Sequence, residues 1–226
     1  MTDPLCGISQ AGHDLIVTEE TGGQAYYIRS GENHPSWPGG ASGVTIGQGY
    51  DLGYSTPETV AGDWSPYLPA NAISALQHCC GVTGSPAHAL AQELHWINVP
   101  WEASLAVFDE RDLPKWIGWC AQDLPNWDDL PPDCKGALGS IAFNRGRSWN
   151  IPPERDPHAR YAEMRAIKAH MATKEFFRIP QDILSMRRLW PEGGDLWRRR
   201  GHEAVLFDQG LANAQPATPA APGATS

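Results

Sequence analysis

Two side chains flank a glycine-rich centre in this sequence at a spacing that suits a shared chemical task. Thr45 and Asp51 lie on either side of Gly47-Gln48-Gly49. A straight strand advances about 3.3 Å per residue, which would leave Thr45 and Asp51 about 20 Å apart. A turn centred on Gln48 instead pairs residue 45 with 51 and residue 46 with 50, so that the Cβ atoms of Thr45 and Asp51 lie about 5 Å apart. A hydroxyl and a carboxylate at that distance can hold a water molecule, unless the aspartate only caps the turn.

A carboxylic acid that completes this pair lies at the end of a predicted helix. Residues 9 to 21 have the pattern of a short helix that stops at a pair of glycines, which puts Glu19 and Glu20 in its last turn. The negative end of the helix dipole disfavours an ionised carboxylate there. A protonated acid, a second carboxylate and a water-positioning hydroxyl are the minimum for hydrolysing a glycosidic bond. In this hypothesis Glu20 protonates the leaving oxygen, Thr45 and Asp51 activate water, and Asp51 also offsets oxocarbenium charge.

The element that must hold Thr45 and Asp51 is a small β lobe. Val44 and Ile46 are typical of a strand, and the first and last residues of Gly47-Gln48-Gly49 can adopt the positive φ values of a three-residue hairpin loop. The proline- and glycine-rich residues 34–40 predict a loop that leads into the hairpin. The β lobe is therefore expected over about 22–69.

The rest of the chain predicts helices. From Ala70 onward the hydrophobic periodicity becomes helical, so a larger helical lobe is expected over about 70–211, together with the N-terminal helix. Pro114 and Pro125 should break the central stretch, because an internal proline loses a backbone donor. The fold class is α+β and mainly α. The predicted helices span 71–80, 86–96, 101–113, 116–124, 132–144, 159–174 and 194–208.

These motifs resemble the phage-type lysozymes and their pesticin-like relatives, which cleave bacterial peptidoglycan. Glu20 precedes Tyr27 at the spacing of the catalytic glutamate and a tyrosine in the phage enzymes, and residues 45–49 read T-I-G-Q-G, similar to their T-I-G-x-G hairpin. Asp51 follows the threonine by six residues, as in the pesticin-like pattern. Further matches in order are Trp101-Glu102-Ala103 to Phe108, residues 136–146, and Arg199-Arg200-x-x-Glu203-x-x-Leu206-Phe207.

The resemblance implies a lysozyme-like fold with a cleft between the lobes, and an inverting muramidase that cuts between N-acetylmuramic acid and N-acetylglucosamine. Glu20, Asp51 and Thr45 would be catalytic. The spacing to the tyrosine selects Glu20 over Glu19, and the absence of an acidic residue just after that tyrosine selects Asp51 over Glu32 as the second carboxylate.

Five further residues are candidates for binding the sugar. Asn144 is either a buried amide satisfied by backbone or a donor that lines the cleft, and the resemblance favours the cleft. Arg200 and Glu203 are interpreted as a surface pair on the last helix, without a catalytic part. The candidates for substrate binding are Tyr27, Gln48, Tyr50, Asn144 and Trp37.

Composition narrows the remaining possibilities. A length of 226 residues with ten tryptophans suits one domain over 1–211, followed by an Ala/Pro-rich tail over 212–226 that should be disordered. A net charge of −9 argues against nucleic acid as a partner. The histidines form no H-E-x-x-H pair and the five cysteines no C-x-x-C motif, so neither a metal nor another cofactor is expected and the thiols should be reduced.

The expected partner is the peptidoglycan glycan strand. No apolar run reaches the length of a membrane span and the N-terminus lacks signal-peptide features, so cytoplasmic synthesis without stable membrane insertion is predicted. Action on the cell wall then needs release or injection. A bacteriolytic phage endolysin passing through a holin pore and an effector carried by a secretion system fit equally well.

Two other functions remain open at this stage. A lytic transglycosylase needs the glutamate but can lack the aspartate, so the presence of both Asp51 and Thr45 argues against it. A non-catalytic peptidoglycan-binding module of a virion or secretion machine would keep the fold for carbohydrate recognition alone.

Overall fold

The fold is mainly helical, with one small antiparallel sheet of two strands, β1 and β2. The computed structural model describes residues 3–214, and over these residues the predicted α+β, mainly α class is confirmed. The elements are α1 Gln10–Thr21, α2 Gln24–Arg29, β1 Thr45–Ile46, β2 Tyr50–Asp51, α3 Pro57–Trp64, α4 Ala70–Gln77, α5 Ser85–Glu93, α6 Trp101–Val107, α7 Leu113–Asp123, α8 Pro132–Arg145, α9 Ala162–Thr173, α10 Ile179–Ser185 and α11 Asp195–Ala214.

The described chain forms two compact units. Residues 17–115 make up the hairpin unit, and residues 3–16 together with 116–214 make up the helical unit. Helix α1 begins in the helical unit and ends in the hairpin unit. The hairpin unit is larger than the β lobe predicted over 22–69, because it also contains α4, α5 and α6.

The core of the hairpin unit forms around the hairpin itself. Val44, Ile46 and Leu52 are at most 1% exposed, and they belong to one apolar cluster with Trp64 and Leu76. Alternation along β1 explains this arrangement, since the side chains on either side of Thr45 point to the opposite face from it. The apolar face of the hairpin therefore fixes the direction in which its polar face can point.

The core of the helical unit surrounds α8, which is buried over most of its length. Helices α1 and α8 approach closely at two glycines, because a Cβ added to Gly136 would lie 2.5 Å from the Cα of Gly12. Ordinary contacts between carbon atoms lie at about 3.5–4.0 Å. Only glycine at both positions lets the helix backbones meet at this distance.

The interpretation of Arg200 and Glu203 as a surface pair is wrong. Both side chains are fully buried, with Arg200 Nη2 donating to Glu203 Oε1 at 3.0 Å. Ser140 donates to the same oxygen at 2.7 Å, and Arg199 Nε contacts it at 3.2 Å. This face of α11 packs on α8, so the charges are buried and neutralise one another there.

The central helices are not broken at Pro114. A single π-helical turn, Phe108–Asp112, links α6 directly to α7, and the proline lies at the second position of α7. A proline inside a regular helix would clash with the carbonyl four residues earlier. The wider π turn accommodates the ring, which explains why the helix continues past it.

Three short helices were not predicted, namely α2, α3 and α10. Helix α3 carries a local signal, since Thr56 accepts a hydrogen bond from the Thr59 amide and Pro57 occupies the first helical position. At the other end of the chain, α11 continues through Ala214, so residues 212–214 belong to a helix rather than to the predicted tail. Residues 215–226 of that tail lie outside the described residues.

Candidate active site

The hairpin has the register that the sequence predicts. Thr45 pairs with Asp51 and Ile46 with Tyr50 in an antiparallel ladder. Gly47 and Gly49 have φ values of +56° and +79°, in the left-handed region that glycine adopts without strain. The predicted juxtaposition of the threonine and the aspartate is therefore confirmed.

The Asp51 carboxylate is held by the backbone on one side. Its Oδ1 accepts hydrogen bonds from the Gly43 amide at 2.9 Å and from the Gly53 amide at 2.8 Å. Within residues 3–214 its Oδ2 has no hydrogen-bond partner. Asp51 thus caps the turn with one oxygen, as the alternative interpretation required, and keeps the second oxygen for another partner.

The Thr45 hydroxyl has no partner within the described chain. Its Oγ1 is buried, while the Thr45 backbone pairs with Ser36 through hydrogen bonds of 2.8 and 2.9 Å. A buried hydroxyl without a hydrogen bond costs about 1–3 kcal/mol. The hydroxyl is unsatisfied and lies opposite a carboxylate oxygen that is also unoccupied by protein. Because Oγ1 is closed off from solvent, the Thr45 side chain or its cover must move before the pair can orient a small polar molecule.

The candidate acid, Glu20, lies in the same unit as Thr45 and Asp51. It occupies the last turn of α1, which ends as predicted where Gly22 adopts a φ of +67°. Glu20 is exposed and Glu19 is half-buried. The selection of Glu20 from this doublet stays a prediction.

The alternative second carboxylate, Glu32, lies in the loop after α2. It is half-buried, and this partial burial raises the pKa of its carboxyl. Its backbone amide donates to the carbonyl of Tyr27 at 3.0 Å. Unlike Asp51, it lies outside the hairpin ladder that holds Thr45.

Tyr27, a candidate for substrate binding, lies in the core of the hairpin unit. Its side chain is fully buried, its hydroxyl donates to the Val99 carbonyl at 3.1 Å, and its ring packs edge-on against Trp101. Burial raises the pKa of Tyr27 to about 12. The predicted binding role of Tyr27 stays a prediction, and it would need the buried side chain to become exposed.

Tyr50 is also buried, and it joins an ion pair between Asp63 and Arg111 that the sequence did not predict. Its hydroxyl donates to Asp63 Oδ2 at 2.7 Å, and Arg111 contacts both groups while its guanidinium lies 4.4 Å from the Tyr50 ring centre. Burial, with a further contribution from Asp63, raises the pKa of Tyr50 to about 12. Tyr50 therefore anchors β2, next to Asp51, and its predicted part in substrate binding stays a prediction.

The Gln48 side chain turns inward at the tip of the hairpin. Both polar atoms of its amide are buried, and neither has a partner within residues 3–214. The neighbouring Gly47 lies against Ser104 and Trp64, since a Cβ there would be 2.8 Å from Ser104 Oγ and 3.0 Å from Trp64 Cη2. The indole nitrogen of Trp64 is likewise buried without a partner in the described chain.

Trp37 and Asn144 have different environments. Trp37 is half-buried, donates from Nε1 to the Ser42 carbonyl at 2.9 Å, and lines a cavity of about 380 Å³ in the hairpin unit. Asn144 belongs to the helical unit, where its Oδ1 accepts a hydrogen bond from Arg200 at 3.3 Å. The partner of the Asn144 amide is thus a buried side chain and not the backbone.

Other classes of site find little support in the described chain. Among residues 3–214, no group of three or more histidine, cysteine, aspartate or glutamate side chains is placed to hold a metal ion. None of the five cysteines, all of which lie within residues 3–214, forms a disulfide. In the same residues, no helix combines the length and apolar character needed to cross a membrane.

One family model matches part of the chain. The match is to a domain of unknown function, DUF8812, and it covers residues 15–111. This segment coincides closely with the hairpin unit and contains Glu20, Thr45 and Asp51. A comparison with curated proteins found no significant match.

Proposed function

We propose that this protein is a peptidoglycan hydrolase, a lysozyme that cleaves the β-1,4 bond between N-acetylmuramic acid and N-acetylglucosamine. The observation that carries the proposal is the ladder pairing of Thr45 with Asp51, which leaves the Thr45 hydroxyl and Asp51 Oδ2 without protein partners in the described chain. A residue that only capped the turn would not need a hydroxyl opposite it.

The three residues divide the chemistry as follows. Glu20 donates a proton to the leaving glycosidic oxygen, and it ends α1 in the same unit as the hairpin. Thr45 orients the attacking water and Asp51 Oδ2 accepts its proton while the negative charge offsets the oxocarbenium-like transition state. The two backbone amides on Oδ1 keep that carboxylate in one orientation throughout.

A lysozyme-like inverting mechanism makes a geometric demand on the loaded enzyme. The carboxyl groups of Glu20 and Asp51 must lie roughly 6.5–9.5 Å apart, so that a water molecule fits between the sugar and Asp51. A separation of about 5 Å would belong to a retaining enzyme. The anomeric configuration of the first product, followed by NMR, reports which of the two operates.

One observation favours a second candidate, a non-catalytic peptidoglycan-binding module. Asp51 already has a structural task as the cap of the hairpin and of the turn Leu52–Tyr54, so its presence is explained without catalysis. A binding module would retain this capped hairpin and bind glycan strands without cleaving them.

The test is clearing of a purified bacterial wall suspension, with the soluble products identified by mass spectrometry. Glu20→Gln keeps the size of the side chain and removes the titratable proton, so it should abolish clearing. Glu19→Gln makes the same change one residue earlier and should retain activity. New reducing ends support hydrolysis, anhydro sugars identify a transglycosylase, and wall binding without any product identifies the binding module.

The same two variants test whether Glu20 or Glu19 is the catalytic acid. Full activity in Glu20→Gln together with its loss in Glu19→Gln would move the acid to Glu19, which is half-buried. Circular dichroism and urea unfolding of both variants check that the protein is still folded with wild-type stability, so that a loss of activity reports chemistry rather than unfolding.

A further inference from the structure

A cavity lies in the hairpin unit, and none of the proposed catalytic residues lines it. The cavity has a volume of about 380 Å³, near the lower end of the range for small-molecule sites. It forms between the loop that precedes β1 and the face of helix α5 with the residues just after it. Its lining residues are Pro35, Ser36, Trp37, His88, Ala91, Gln92 and His95.

The lining combines aromatic faces with neutral hydrogen-bonding groups. The ring centres of Trp37 and His88 lie 5.2 Å apart, and the indole is fixed because its Nε1 donates to the Ser42 carbonyl. No lining residue carries a carboxylate, an ammonium or a guanidinium group. A strongly charged ligand such as a phosphate would therefore find no permanently charged partner, whereas a sugar ring finds an aromatic wall for its C–H face and polar groups for its edge.

The hydrogen-bonding groups that remain for a ligand include both donors and acceptors. Gln92 Nε2 lies 3.4 Å from His88 Nε2, and an amide nitrogen can only donate, so this ring nitrogen accepts and the Nδ1 side of the ring remains for a ligand. The Gln92 carbonyl oxygen stays an acceptor. His95 stacks on His34 at 4.3 Å, and neither of its ring nitrogens has a hydrogen-bond partner within residues 3–214.

Both ring nitrogens of His34, by contrast, have hydrogen-bond partners, and the ring stacks on His95. Its Nδ1 lies 2.9 Å from the Ile97 carbonyl, which can only accept, so Nδ1 carries the proton. Its Nε2 then accepts from the Asn33 amide at 3.2 Å. The ring that stacks on His95 is therefore fixed by two hydrogen bonds.

We propose that this cavity is a saccharide-binding site for an N-acetylated hexosamine. An acetamido group carries one N–H donor, one carbonyl acceptor and a methyl group. The set matches the carbonyl of Gln92, the imidazole donors of His88 and His95, and the apolar surface of Pro35 and Ala91. The inference rests on the proposed function only for the choice of an N-acetylated sugar over other neutral sugars.

The site would give the protein a glycan contact separate from bond cleavage. Ser36 contributes to the cavity wall while its backbone pairs with Thr45 on β1. A glycan unit bound beside Trp37 is thus held on the segment that carries the hairpin. Such a contact raises the time a wall strand spends on the protein without entering the chemistry.

The test measures binding of chitotriose, the trimer of N-acetylglucosamine, to the full chain carrying Glu20→Gln, so that the probe is not cleaved. Isothermal titration should show that chitotriose binds and that cellotriose, the matching glucose trimer, binds at least about tenfold more weakly. Trp37→Leu and His95→Ala should each weaken chitotriose binding by about tenfold or more. His95→Ala is the safer variant for folding, because His95 is exposed.

Trp96→Leu is the matched control, because Trp96 is 55% exposed, follows His95 in the chain and does not line the cavity. It should bind chitotriose as the parent protein does. Absence of chitotriose binding, equal affinity for both trimers, or unchanged affinity in Trp37→Leu and His95→Ala would each overturn the inference.

Chitotriose binding at this cavity and hydrolysis of bacterial walls can succeed or fail independently. Binding that depends on Trp37 in a protein that releases no products from bacterial walls would leave this site standing and refute the hydrolase. Wall hydrolysis together with chitotriose binding that is unchanged in Trp37→Leu and His95→Ala would support the hydrolase and refute this binding site.

Discussion

Replacing Asp51 separates its structural task from its proposed chemical one. Oδ1 accepts from the Gly43 and Gly53 amides, and Gly43 is buried. Asp51→Ala leaves both donors without this acceptor, at about 1–3 kcal/mol for each donor that water cannot reach. Because Gly53 is only half-buried and can recruit water, we expect a total loss of about 2–4 kcal/mol in the free energy of unfolding.

Asp51→Asn should be less destabilising than Asp51→Ala, because the amide keeps one carbonyl oxygen that can accept from both backbone donors. Only the charge assistance is lost, so the free energy of unfolding should fall by less than about 1 kcal/mol. Activity should nevertheless fall by about 10²–10³-fold, since the neutral amide cannot offset positive charge in the transition state. The two variants thus share a loss of activity and differ in stability.

Urea unfolding followed by circular dichroism measures the stability, and release of reducing ends from bacterial walls measures the activity. If Asp51→Ala unfolds at the same urea concentration as the wild type, the two backbone contacts contribute nothing and the capping argument fails. If Asp51→Asn retains full activity, the carboxylate has no chemical part and Asp51 is only a turn cap.

Thr45→Val is the companion experiment on the opposite strand. The hydroxyl of Thr45 is buried without a partner in the described chain, so exchanging it for a methyl group should leave stability unchanged or raise it slightly. The same change should lower wall hydrolysis if the hydroxyl orients water. A variant that is markedly destabilised would show that this oxygen has a structural partner in the folded protein.

Three further outcomes follow from contacts elsewhere in the chain. Gly136→Ala should cost about 1–3 kcal/mol by forcing α1 and α8 apart, whereas Gly118→Ala, in α7 with no atom within 4 Å of the added Cβ, should gain about 0.5–1 kcal/mol, both measured by urea unfolding. The hydrogen bond from Arg147 holds the pKa of Asp123 below its usual range, so Asp123→Asn should lower stability at pH 7. That difference should disappear as the pH falls through the depressed pKa of the folded protein, as unfolding at pH 2 to 7 will show. Burial raises the pKa of Cys120 to about 12, so this thiol should resist alkylation at pH 8 until the protein is unfolded, as peptide mass mapping will show.

The sequence predicts the hairpin well because its determinants are local. Two glycines with positive φ and two β-branched residues around Thr45 define the register without help from the rest of the chain. The end of α1 is predictable for the same reason, since Gly22 stops it. The positions of the candidate catalytic residues therefore followed from short stretches of sequence.

Burial was predicted poorly because it depends on distant partners. The sequence around Tyr50 gives no sign of its partner Arg111, which lies 61 residues further on. Arg200 and Glu203 have the spacing of a solvated pair, and only the packing of α11 on α8 reveals that they are buried. Nothing in the local sequence distinguishes a charged surface helix from one whose charges are neutralised in a core.

The division of α1 between the two units has a consequence for the order of folding during synthesis. The hairpin unit is complete once residue 115 has left the ribosome, whereas Gly12 must wait for Gly136, 124 residues later, and for the helices that follow. Long sequence separation of contacts slows folding, and domains generally fold as units as they emerge. We expect a nascent chain stalled just after residue 115 to contain a protease-resistant core while its first sixteen residues are still cleavable.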